Sequence, residues 1–381
     1  MRLVVLFAIT FLSHCLFAVE KENIPELLVS TKGKKIVTVQ QWEKTRRPEI
    51  LELFRQHVYG RMPVDKPQHL TFETVEQSDT LFNSQATRKV VKISYSGVGG
   101  SGSFLLTLYI PNKATKPLPG FLFICHRNCS DLAKNKQFWP VNTIIKRGFM
   151  TAMISTPELD PDVNDGFKNG VHGIFDKQPR TPDAWGTIAA WSWGARRAMD
   201  YFETDKTIDA KHIAVLGHSR GAKAALWAGA EDQRFALVIS NNSGSTGAAM
   251  ARGKKGESIK DINTSFPHWF SESYKQYNNN EDKLPVDQHQ LIALIAPRLV
   301  YVASGSADNW ADPASEFKSC VYAEPAYKLY GLNGLETQQM PKPSEFIHTG
   351  NIGYHLREGK HNLTEFDWNL FMKFAEMNWM K

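Results

Sequence analysis

Residues 213–216 form an unbroken apolar run, Gly217-His218-Ser219-Arg220-Gly221 follows at once, and the alanine-rich stretch 222–227 continues beyond it. No other segment limits the fold as strongly. A buried strand that turns directly into a helix needs small residues on both sides of the bend, and glycines stand at 217 and 221. Such a bend pushes Ser219 into a strained, exposed position at its apex, where the hydroxyl can act as a nucleophile. A purely structural Gly-Ser turn could carry the same five letters. The strand before it and the helix after it favour the catalytic reading.

The rest of the chain supplies a sheet for this turn to sit in. Short apolar runs at 120–125, 150–155, 213–217, 235–240 and 299–304 have the length of fully buried parallel strands, with helical patterns between several of them. Alternating segments at 89–95 and 103–110 flank a glycine-rich turn at 97–102, which predicts an antiparallel hairpin ahead of the parallel part. A helix is expected over 184–202, started by Thr181-Pro182-Asp183, its aromatic stripe read as core. A further helical pattern runs through 42–63 and stops at Gly60 and Pro63. The segments 241–297 and 311–352 read as long loops, which in a compact domain tend to carry function. Strands alternating with helices after an antiparallel start predict an α/β class, the three-layer sandwich of the α/β-hydrolases with a mostly parallel central sheet and antiparallel N-terminal strands.

Apolar residues at 42% and charged residues at 22% are ordinary for a globular chain. The net charge of +6 is dispersed, with no basic run, which argues against a nucleic-acid partner. Met1-Arg2, the apolar run 3–12 and Ala18 read as an export leader over 1–18, followed by a single catalytic domain over 19–381. The leader is too short to span a bilayer and no later segment is apolar enough, so a secreted or periplasmic protein without stable membrane association is expected. His14 fits poorly in a lipoprotein cleavage box at Cys15. Cys125, Cys129 and Cys320 then remain, so at most one internal disulfide can form. Cys125-His126-Arg127-Asn128-Cys129 lacks a second ligand pair at metal-binding spacing, which leaves buried thiols or one local bridge.

A serine hydroxyl needs a base to take its proton, and the base needs a carboxylate to fix its tautomer. In this fold class the order is serine, acid after a later strand, then histidine in a late loop. Asp308 directly follows the run 299–304, and His361 lies in Gly359-Lys360-His361-Asn362 before a terminal helical pattern. Spacing leaves competitors open. Asp312 and Glu257 could replace Asp308, and His355 is the second choice of base. His268 and His289 could line the cleft, whereas His218 is expected behind the turn.

At the level of whole motifs the chain resembles the glucuronoyl esterases, carbohydrate esterase family fifteen, and especially their bacterial branch. The resemblance rests on Gly217-His218-Ser219-Arg220-Gly221-Ala222-Lys223, Asn263-Thr264-Ser265-Phe266-Pro267-His268-Trp269-Phe270, Leu284-Pro285-Val286-Asp287-Gln288-His289 and Trp310-Ala311-Asp312-Pro313. It implies Ser219 as nucleophile, His361 as base and Arg220 as oxyanion residue. Lys223, Glu257 and Trp310 would contact the hydroxyls of a glucuronic acid ring, work that suits donors, acceptors and an indole wall. Fungal relatives place the acid at what is here Asn242, which cannot serve, and bacterial relatives often place it at the position of Asp308. Ser245, Thr246 and the segment 123–129 depart from the family pattern, which bears on substrate preference more than on reaction type.

The expectation is therefore a secreted serine esterase acting on esters of (4-O-methyl-)glucuronic acid in glucuronoxylan, with no cofactor and no metal. An acetyl xylan esterase and a non-catalytic carbohydrate-binding protein of the same shape are the alternatives. The sequon at Asn362 is read as unmodified, because a glycan beside the base would obstruct it.

Overall fold

The computed structural model describes residues 23–253 and 255–380. The expected leader lies outside the described residues.

Ten strands form one sheet: β1 Leu70–Thr80, β2 Ala86–Gly97, β3 Gly100–Pro111, β4 Leu118–Cys125, β5 Met150–Ser155, β6 Ile208–His218, β7 Leu237–Asn241, β8 Leu299–Gly305, β9 Phe346–Ile347 and β10 Ile352–Arg357. Their spatial order is β1-β2-β3-β5-β4-β6-β7-β8-β10-β9. The first three strands and β5 pair antiparallel, the central run from β5 to β10 is parallel, and β9 returns antiparallel on β10. The predicted hairpin is present and longer than its alternation suggested, with Lys89 opposite Leu108 and Tyr95 opposite Gly102.

The helices that frame the sheet are α1 Arg47–Phe54, α2 Val141–Lys146, α3 Thr187–Phe202, α4 Arg220–Glu231, α5 Pro313–Leu329 and α6 Glu365–Trp379. Central strands are apolar on both faces because each face is covered. On β4, Leu122 and Ile124 join the core under α3 and α4, while Phe121, Phe123 and Cys125 join the core under α2 and α6. A period of two thus assigns alternate residues to two different cores. This is the α/β-hydrolase arrangement.

Every residue of α3 is buried. Trp185, Trp191 and Phe202 of the expected stripe are core, as its spacing predicts. The helix starts at Thr187, later than expected, because Asp183 and Ala184 are drawn elsewhere: the Asp183 carbonyl accepts from Arg61 N at 2.7 Å, and Ala184 bridges Arg61 in parallel. The N-terminal arm is helical through Val39–Gln41, a wide π turn at Trp42–Arg46, α1, and a second π turn at Arg55–Tyr59. It packs on α4, where Tyr59 stacks on Trp227 with ring centres 4.5 Å apart, and Arg47 Nη2 donates to Ala230 O at 2.9 Å near the C-terminus of that helix.

The segments expected as long loops are partly helical. Ile259–Ser265 and Gln288–Ala293 lie within 241–297, and α5 occupies much of 311–352. Pro325 inside α5 works against a helical reading, and its buried residues include Ser315, Glu316 and Ser319 beside Phe317, so no apolar stripe marks it. Cys125 and Cys129 are bridged, and Cys320 is a free buried thiol.

Candidate active site

The turn after β6 is built by exclusion of side chains. A Cβ on Gly217 would lie 2.1 Å from the carbonyl carbon of Gly221, and one on Gly221 would lie 2.6 Å from Ile124 O. Only glycine at both positions lets α4 start this close to the strand. Ser219 sits between them at φ 55°, ψ −126°, a conformation that side chains rarely adopt and that persists only where surrounding structure imposes it. Its N–H donates to Asn241 O at 2.9 Å, tying the turn to the end of β7. The serine is half-buried at the N-terminus of α4, where the helix dipole favours negative charge.

His361 comes from the loop after β10, and Asp308 from the loop after β8. His361 Nδ1 lies 2.6 Å from Asp308 Oδ2. The His361 ring is 4.6 Å from the ring of His218, the residue immediately before Ser219, so the loop delivers it to the turn. Close approach of two loops makes this possible. A Cβ on Gly305 would come within 2.9 Å of the carbonyl oxygens of Gly359 and Lys360; Ala307 N donates to Gly359 O at 2.9 Å, and Arg357 Nη2 donates to Lys360 O at 2.6 Å. Asp308 is buried and its Oδ2 also accepts from Asn242 Nδ2 at 2.7 Å. Burial alone would raise its proton affinity, but the bond and charge of His361 and the amide of Asn242 outweigh burial and hold the carboxyl below its usual range. With Nδ1 engaged by a carboxylate, Nε2 is the ring nitrogen left for proton transfer.

The competing histidines lie elsewhere or do other work. His355 is fully buried on β10, 2.8 Å from Asp367 and 3.2 Å from the Tyr301 hydroxyl. His289 does not line the cleft; it is buried against the N-terminal arm with Nε2 3.0 Å from Pro25 O. His218 is buried, with Nδ1 2.6 Å from Asn241 Oδ1, which is the position behind the turn that its sequence neighbours imply. Asp312 caps α5, accepting from Ser315 N at 3.1 Å.

Lys223, Glu257 and Trp310 meet at one place. Lys223 Nζ is 3.9 Å from Glu257 Oε2, Glu257 N donates to Trp310 O at 3.0 Å, and Trp310 is 58% exposed. Arg220 lies over the stacked pair of Phe266 and Trp269, its guanidinium carbon 5.0 and 4.7 Å from the two ring centres.

Sequence reasoning missed the group that holds Arg220. Asp162, in the segment after β5, forms an ion pair with the guanidinium and accepts from Trp269 Nε1 at 2.7 Å, with His268 Nε2 3.0 Å from the same carboxyl oxygen. Burial would raise its proton affinity, but these partners and the charge of Arg220 hold it at about 2. No local motif announces a contact across 58 residues. His126 was also missed as a neighbour of the Ser219 turn: its Nδ1 would lie 3.5 Å from a Cβ on Gly221, and its ring is 5.9 Å from that of His218. Burial, then the charges of Arg127 and Arg220, push this imidazole down to about 3, so it is neutral at physiological pH. Its place after the strand beside β6 is the signal that could have found it, since that loop borders the oxyanion side in this fold. A groove of about 800 Å³ between the N-terminal arm and α5 is lined by Leu28, Val321 and Lys328, away from these residues, so volume does not locate the chemistry.

Residues 93–331, more than half of the chain, match the family model described as glucuronyl esterase, fungi. The chain belongs to the glucuronoyl esterase family. It is 40% identical to a carbohydrate esterase from an unknown prokaryotic organism, over 94% of this chain and 90% of that protein. Among solved structures, a glucuronoyl esterase from Solibacter usitatus superposes with a TM-score of 0.88 at 37% identity, covering 93% of this chain and 98% of its own. A promiscuous CE15 esterase from a marine bacterial metagenome superposes at 0.85 with 40% identity, covering 94% and 98%. The resemblance to this family is thereby established, as is membership among carboxylic ester hydrolases.

Proposed function

We propose that this member of the family hydrolyses esters of (4-O-methyl-)glucuronic acid in glucuronoxylan through an acyl-enzyme on Ser219. The observation that carries the assignment of roles is the 2.6 Å contact between His361 Nδ1 and Asp308 Oδ2, delivered beside the strained Ser219 turn. Ser219 Oγ attacks the ester carbonyl as its proton passes to His361 Nε2, and Asp308 stabilises the imidazolium that forms. Negative charge developing on the carbonyl oxygen meets the Arg220 N–H and guanidinium at the start of α4, a contribution of about 3 kcal/mol per well-placed donor. Collapse breaks the bond to the alcohol, which leaves with the proton from His361. A water then gives its proton to His361 and attacks the acyl-enzyme, and the acid is released as Ser219 Oγ takes that proton back from His361. Lys223, Glu257 and Trp310 are the ring contacts in this reading. Every step draws on side chains, the Arg220 backbone N–H and water.

Glucuronoxylan lies outside the cell, which agrees with an export leader over 1–18 ahead of one catalytic domain over 19–381. Among the described residues no helix is long and apolar enough to cross a membrane. The test is hydrolysis of benzyl or methyl glucuronate beside an acetyl ester, with Ser219→Ala as control. Turnover of the glucuronate, abolished in the variant, is expected. Turnover of the acetyl ester alone refutes the substrate, and an active Ser219→Ala refutes the mechanism.

A further inference from the structure

The turn that follows β7 carries three residues with positive φ: Asn242 at 48°, Gly244 at 60° and Thr246 at 56°. A turn this strained must be held from outside. Two buried, oppositely charged side chains hold it. Lys223 Nζ donates to Ser243 O and Ser245 O, each at 2.5 Å. Glu316 of α5, fully buried, accepts from Ser243 Oγ at 3.1 Å and from Gly244 N at 2.9 Å on one carboxyl oxygen, and from Ser304 Oγ of β8 at 2.6 Å on the other.

The peptide joining Ser243 to Gly244 therefore lies between them. Its carbonyl faces the ammonium of Lys223, and its N–H faces the carboxyl of Glu316. That is the orientation in which a peptide dipole favours a cation at its oxygen and an anion at its N–H. Each buried group thus finds part of its charge compensation through one amide. Ser243 Oγ is fully used as well, since it accepts from Ser240 Oγ and Ala248 N, both at 2.7 Å, while donating to Glu316.

We propose that Glu316 is a positioning residue for sugar recognition, fixing the Lys223 ammonium through the Ser243–Gly244 peptide. This rests on the assignment of Lys223 as a sugar contact. Glu316 itself is fully buried, out of reach of a sugar. Its carboxyl is lifted by burial, with Asp308 adding to the rise against its own hydrogen bonds, to about 7. The other groups facing this network are Tyr354 of β10, Cys320 of α5 and, across the turn, Lys223 with Glu257 beyond it. As pH falls through this value the carboxyl protonates and its hold on the amide weakens.

The readout is the ratio of kcat/KM on benzyl glucuronate to that on p-nitrophenyl acetate, an ester with no ring hydroxyls for Lys223 to meet. Taking the ratio cancels titration of the shared catalytic groups. Glu316→Gln is expected to lower the ratio about tenfold, and to lower it less than about twofold further when Lys223→Ala is already present, as two residues acting through one contact should. Equal losses on both esters, or a second full loss in the Lys223→Ala background, overturn the proposal. Should Glu316→Gln fail to fold, the wild-type ratio reads the same group: it is expected to fall as pH is lowered across about one unit either side of neutral, and a flat ratio overturns the proposal. A wild-type enzyme inactive on the glucuronate would sink the substrate assignment along with it, whereas an active one with an insensitive ratio sinks only the role of Glu316.

Discussion

Asp162→Asn removes one charge from the cradle of Arg220 and keeps the shape. Asp162 is held at about 2 against an ordinary 3.8, and each unit of such a shift corresponds to about 1.4 kcal/mol, so its ionised form contributes about 2 kcal/mol to the native state. The folded value lies below the unfolded one. The contribution is therefore complete above pH ~4, fades as pH falls through ~2, and is absent in the variant throughout. For a chain of this length a loss of that size lowers Tm by about 3 °C at neutral pH. The asparagine must also turn its NH2 toward Arg220 or toward the donors on His268 and Trp269, which adds to the loss. If Arg220 acts at the oxyanion position as proposed, a guanidinium freed of its anchor spends less time there, and kcat should fall about ten- to a hundredfold with little change in KM. Calorimetry at neutral pH and near pH 2.5, with steady-state kinetics at neutral pH, measures both effects. A variant with unchanged Tm and unchanged kcat, or a stability gap that does not narrow in acid, refutes the reasoning.

Asp308→Asn should leave the fold intact and reduce kcat about ten-thousandfold, because the amide favours the wrong tautomer of His361; a fall on the order of tenfold in esterase assays would instead favour a different acid. Gly217→Ala places a methyl carbon 2.1 Å from the backbone of Gly221, where no side chain can yield, and should destabilise by about 3 kcal/mol while displacing the serine. A thermal midpoint equal to wild type, with full esterase activity, would show that the turn is looser than its contacts require.

The central strands were legible because burial on both faces leaves an apolar run of definite length, and β4, β5, β7 and β8 fall within about two residues of the expected limits. β1 was not legible. Its residues are mostly exposed, from Glu73 to Thr80 without interruption, so it carries no alternation for burial to write into the sequence. α5 was missed for the opposite reason, since buried polar groups such as Glu316 and Ser319 break the pattern that burial usually leaves. Within the site, chain order pointed to Ser219, Asp308 and His361, because topology fixes that order in this fold. Nothing local pointed to Asp162 or Glu316. Each acts on a side chain or turn far away in sequence, and such partners are chosen by packing alone.

In the proposed mechanism, the acid shows how topology permits substitution between loops. β7 and β8 are parallel neighbours, and Asn242 N donates to Ala303 O at 2.7 Å, so the loops leaving both strands open toward the same histidine. Asn242 and Asp308 are in contact there, Nδ2 to Oδ2 at 2.7 Å. Two carboxylates at that distance could not both ionise at neutral pH, and one would hold a proton in place of orienting the base. An amide at 242 resolves the conflict, because it gives Asp308 a donor that favours the charged form. The residue whose type excluded it as the acid thus supports the acid from the neighbouring loop.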